Sequence, residues 1–96
     1  MQKQECFENK PFDCYLCESA EDLITAFKSI GAENVIVEKY GMQFNWRSNK
    51  DFLIGMSFPH EGDILNTCPL PYYLVNGNNY RRILTVSEFN EIYRII

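Results

Sequence analysis

Two successive runs of alternating apolar and polar residues within positions 34–58, NVIVEKYGMQFNWRSNKDFLIGMSF, constrain the fold more than any other feature of the chain. Met42, Phe44 and Trp46 alternate with Gln43, Asn45 and Arg47. A period of two places one face of a strand on a core and the other in water. Phe52, Ile54, Met56 and Phe58 repeat the pattern against Leu53, Gly55 and Ser57, and the intervening Ser48, Asn49, Lys50 and Asp51 are turn formers. Val35 and Val37 lie just upstream, with Gly41 as the reversal point after Tyr40. The stretch predicts a three-stranded antiparallel meander.

The flanking segments supply the other elements. Residues 1–11 are polar and end in Pro11, which predicts an irregular N-terminal arm. In FDCYLCE, Phe12, Cys14 and Leu16 alternate with Asp13, Tyr15 and Cys17, a short strand. A helix follows directly. Ser19 and Asp22 approximate a capping box, Glu21 and Asp22 suit the positive end of a helix dipole, and Leu23, Phe27 and Ile30 form an apolar stripe that Gly31 terminates. Past the meander, residues 59–71 (PHEGDILNTCPLP) make a connection long enough to carry function. Tyr72–Val75 and Tyr80–Leu84 read as two strands of a hairpin around Asn76, Gly77, Asn78 and Asn79. The last helix opens on a Thr85/Glu88 capping box and a Leu84/Phe89 staple, with Val86, Phe89, Tyr93 and Ile96 as its stripe. These elements predict an α+β fold: a two-layer sandwich in which about five or six antiparallel strands, the meander plus the C-terminal hairpin, carry two helices on one face.

A chain of 96 residues is the size of one domain, able to bury a core without staples. No run approaches the ~18 apolar residues of a membrane helix, and MQKQECFENK lacks the apolar centre of a signal peptide. The expectation is therefore a cytoplasmic protein that binds no membrane, whose four cysteines are thiols or metal ligands. The net charge of −4 is uneven, because residues 1–38 hold three basic against eight acidic side chains and residues 39–96 hold six against five. The acidic half opposes direct contact with a nucleic-acid backbone, which needs clustered Lys and Arg.

Three constellations have side chains capable of chemistry. Cys14 and Cys17 form a C-x-x-C that, with Cys6, Cys68 and His60, contains enough donors for a zinc-supported structural module. One such pair without a second is half a site, and the strand alternation sets Cys14 and Cys17 on opposite faces, so no metal or other cofactor is expected. Near its end the chain resembles the glutaredoxins: Pro71, a strand, Asn76-Gly77, a second strand and a final helix are similar to the elements that close that fold. The resemblance covers about a third of the chain and implies a thiol oxidoreductase. It departs from the family where the meander replaces the second strand-to-helix crossover and where Tyr15-Leu16 stands between the thiols. His60 with Glu61 and Asp63 is the third set; it lacks a partner nucleophile, which leaves a small enzyme as an alternative and a non-enzyme as the expectation.

Tyr40, Tyr72, Tyr73 and Tyr80, with Arg47, Arg81 and Arg82 nearby in sequence, are residue types that anchor interfaces, while the alternation assigns Trp46 to the core. The reading is a small non-enzymatic protein-binding module whose contact groups are Asp13, Glu18, Glu21, Asp22, Tyr40, Tyr72 and Tyr73. Its expected partner is another protein or a protein–nucleic acid complex, with Ile95-Ile96 offering a homodimer contact. By size and charge it is analogous to the inhibitors that phages and mobile elements direct at nucleic-acid-processing complexes, anti-CRISPR proteins among them.

Overall fold

The computed structural model describes residues 1–59 and 70–96. In chain order the elements are β1 (Lys3–Phe7), β2 (Pro11–Cys17), α1 (Ala20–Ser29), β3 (Ala32–Val37), β4 (Gly41–Trp46), β5 (Asn49–Ser57), β6 (Tyr72–Gly77), β7 (Tyr80–Thr85), α2 (Val86–Ile92) and β8 (Arg94–Ile95). The fold is α+β and its strand pairings are antiparallel. The expected meander forms, but as a separate three-stranded sheet, β3-β4-β5, rather than as part of one sheet with the hairpin. The other five strands have the order β7-β6-β2-β1-β8.

The N-terminal arm is also corrected. Residues 3–7 form β1, which pairs with β2 from Lys3↔Tyr15 to Phe7↔Pro11. With β6 on its other edge, β2 is interior to the sheet. Its backbone N–H and C=O groups need partners on both sides, which a polar N-terminal segment supplies through backbone alone. The chain end is corrected in the same way. Helix α2 stops at Ile92, Tyr93 caps it in extended conformation, and Arg94–Ile95 pair with β1. Ile96, expected on the helix stripe, is therefore exposed.

Burial on both faces of the larger sheet explains why the helices take opposite sides instead of the single face expected. Tyr15, Cys17, Leu74 and Ile83 pack with Leu23, Ala26 and Phe27 of α1 and with Met42 and Phe44 of the small sheet. The alternate residues, Cys6, Phe12, Cys14, Val75 and Leu84, pack with Phe89 of α2 and Tyr93. The sheet is thus a middle layer, and the apolar residues on both faces of β2 and β6 are its signature.

Local signals place the elements where the sequence puts them. Ser19 Oγ accepts from Asp22 N at 3.1 Å, which satisfies an orphan donor of the first turn of α1, and Asp22 Oδ2 accepts from Glu18 N, just before the helix, at 3.0 Å. Gly31 follows α1 at φ 106°, a conformation a side chain would strain. The C-terminal hairpin turns on Asn78-Asn79, not on Asn76-Gly77, since Gly77 pairs with Tyr80 and Asn79 takes the left-handed conformation. Gly77 instead makes room for an aromatic ring, because a Cβ there would stand 2.6 Å from Cδ1 of Phe12.

Candidate functional site

The proposed acidic contact set divides into two places. Asp13 sits in a polar row across the larger sheet: Glu5 pairs with Asp13, Asp13 with Asn76, and Asn76 with Arg81. Lys3 Nζ lies 4.0 Å from Asp13, and Asn76 Oδ1 is buried without a hydrogen-bond partner. Glu18, Glu21 and Asp22 belong to the opposite end of β2, at the start of α1. Glu18 and Glu21 are exposed, while Asp22 is half-buried and spent on the cap. Asp13 therefore does not join them in one acidic surface.

The tyrosines also separate. Tyr40 is 52% exposed in the β3–β4 turn, with Lys39 Nζ 5.3 Å from its ring centroid. Tyr72, expected to be a contact group, is fully buried against Phe58 and donates to Pro59 O at 3.4 Å; it belongs to the core. Tyr73 is half-buried and stacked on Phe89 at 3.8 Å, and Tyr80 holds Tyr93 OH at 3.2 Å and accepts from Arg82 at 3.0 Å. Their parity on β6 and β7 puts both beneath α2.

Cys6, Cys14 and Cys17 are free and fully buried. Burial, then the neighbouring Cys6, pushes the Cys14 thiol up to about 12; burial, then Asp22, does the same to Cys17. A redox or nucleophilic cysteine needs the opposite displacement. Cys14 and Cys17 face different layers, as the alternation predicts, so the pair does not chelate one ion. Among the described residues no three His, Cys, Asp or Glu side chains converge as metal donors. His60, Glu61, Asp63 and Cys68, and most of the 59–71 connection, lie outside the described residues.

The feature that sequence reasoning missed is on the small sheet. Phe52, placed by alternation on the core face, is 66% exposed, and its neighbour Leu53 is 63% exposed. The cause is a break in register: Phe44 pairs with Ile54 and Trp46 with Asn49, so Lys50–Leu53 stand opposite Asn45 alone. Asn45 Nδ2 donates to Phe52 O at 2.7 Å and holds the extra residues in place. A run of four residues facing one breaks the parity on which the inward assignment of Phe52 depended. Ile36 on β3 is 54% exposed, and it pairs with Gln43, which pairs with Gly55. Strand β5 is an edge of its sheet, so one row of its backbone groups faces no strand among the described residues.

No family model, no curated protein and no solved structure matches this chain. Among the described residues no helix is long and apolar enough to cross a membrane.

Proposed function

We propose that the chain is a non-enzymatic protein-binding module whose partner adds an extended, apolar segment to the edge of β5 that pairs with no strand among the described residues. The observation that carries this reading is the pair Phe52 and Leu53, exposed by 66% and 63% on an edge strand. Single exposed apolar residues are ordinary, but two in succession on an edge strand combine apolar area with a row of backbone donors and acceptors that meets no other strand among the described residues. That combination favours strand addition, in which main-chain bonds give affinity and side chains give selectivity. Ile36 and Tyr40 are further exposed apolar side chains on the same small sheet. The test compares proteins retained by the wild type with those retained by Phe52→Ser/Leu53→Ser. A partner held by the wild type and lost by the double variant supports the reading, and identical retention sinks it.

A second reading is favoured by the exposure of Glu18 and Glu21. There the acidic start of α1 meets the basic groove of a nucleic-acid-processing partner and speeds association, as an inhibitor made by a phage or mobile element would. Glu18→Gln/Glu21→Gln would then slow association and flatten its salt dependence, and an unaltered association rate speaks against it.

A further inference from the structure

The ends of α1, the β4–β5 hairpin and the β6–β7 hairpin enclose an open groove of about 600 Å³, lined by Ile30, Gly31, Trp46, Arg47, Ser48, Asn79 and Arg81. Its lining joins apolar Ile30 and Trp46 to the donors Arg47, Ser48, Asn79 and Arg81. The Arg81 guanidinium lies 4.3 Å from the centroid of the Trp46 ring. Stacking fixes the plane of the guanidinium and leaves its N–H groups free to donate. The Arg81 side chain makes no ion pair or hydrogen bond among the described residues. Arg47 is oriented by its Nε bond to Glu33 Oε1 at 3.2 Å, and Lys50 shares Glu33 at 3.5 Å. Two cations, Arg47 and Arg81, and no carboxylate belong to the groove's lining among the described residues, in a chain of net charge −4.

We infer that this groove is a phosphate-binding site, taking inorganic phosphate or the phosphate of a small phosphomonoester. Two guanidinium forks, the Ser48 hydroxyl and the Asn79 amide come from two separate hairpins. Donors approaching from different sides suit a tetrahedral group with several terminal oxygens better than a flat carboxylate. The volume falls within the range of small-ligand clefts, leaving room for a substituent on the phosphate. Gly31 keeps the wall open, since nothing stands within 4 Å of where its Cβ would be. This site is independent of strand addition at β5.

Trp46 is the only tryptophan, so emission reports directly on the groove. Inorganic phosphate is titrated at constant ionic strength, with acetate as the planar control, and calorimetry reads the variants because loss of Arg81 changes the emission itself. A saturable response is expected, weakened about tenfold in Arg81→Gln and in Arg47→Gln, and at least about tenfold weaker for acetate. Both variants change exposed side chains, and their circular dichroism should match the wild type. A response that does not saturate, that acetate reproduces, or that survives Arg81→Gln overturns the assignment.

Discussion

Replacing Gly77 with alanine tests the packing beneath α2 with a single methyl group. An added Cβ would stand 2.6 and 2.8 Å from two carbons of the Phe12 ring, closer than real Cβ atoms come to anything. The ring has little room to retreat. Phe12 is 7% exposed, with Tyr80 at 5.3 Å and Tyr93 edge-on at 5.9 Å between centroids. Overpacking of this kind costs about 1–3 kcal/mol, and the stiffer unfolded chain returns roughly 0.5 kcal/mol, so a net loss of about 1–2 kcal/mol is expected. Urea unfolding measures it. Phe12→Val removes the δ and ε carbons that form the obstacle, so in that background Gly77→Ala should cost less than about 0.5 kcal/mol, a coupling that residues in contact show. Gly55→Ala is the internal control: its Cβ meets nothing within 4 Å, and the change should be neutral or stabilising by up to about 1 kcal/mol. Equal costs for Gly77→Ala with and without Phe12 would refute the reasoning.

Three further outcomes are expected of the same structure. The Cys14 and Cys17 thiols have folded-state values of about 12 against 9.0 for a free thiol, so the stability they confer is complete below pH 9 and is lost as pH rises from 9 toward 12. Each should remove about 1.4 kcal/mol per pH unit across that window, and a flat urea midpoint from about pH 9 to 11 would contradict it. Thr85 Oγ1 accepts from Glu88 N at 3.1 Å and Glu88 Oε1 accepts from Thr85 N at 3.0 Å, so Thr85→Ala should cost about 1–2 kcal/mol in thermal or urea unfolding. A thiol reagent should modify Cys6, Cys14 and Cys17 only through opening of the fold, and modification of these three as fast as a free cysteine would show that they are not buried as described.

Local chemistry was legible in the sequence and long-range pairing was not. The caps at Ser19 and Thr85, the left-handed Gly31, the meander and the opposite-facing Cys14 and Cys17 depend on neighbours within a few positions, and each stands as expected. The two-sheet division depends on which strand meets β2. Period-two patterns say which face is apolar but carry no information about a distant partner, so polar Lys3–Phe7 gave no sign of becoming β1. Asn76-Gly77 has the composition of a tight turn, yet the strands stay paired through Gly77↔Tyr80, the turn falls on Asn78-Asn79, and Gly77 instead lies against the Phe12 ring. Of the contact groups, Glu18, Glu21 and Tyr40 are exposed as an interface requires, whereas Tyr72 was drawn into the core by the second buried face of β6. Phe52 was misplaced because parity counting fails across the Lys50–Leu53 excess, which the Asn45 side chain bridges by its bond to Phe52 O. The Trp46–Arg81 stack joins residues 35 positions apart on different sheets, which no local pattern encodes.

The central claim is that the β5 edge around Phe52 is the docking surface, and site-specific photocrosslinking tests it most directly. A photoreactive phenylalanine analogue at position 52 is compared with the same analogue at position 28, an exposed site on α1, in lysate of the native host. A discrete crosslinked species is expected from position 52, with a partner heavier or lighter than this chain, and none from position 28. A product at twice the mass of the chain would instead make the occupant a second copy, and no product at position 52, or the same product from both positions, would contradict the claim.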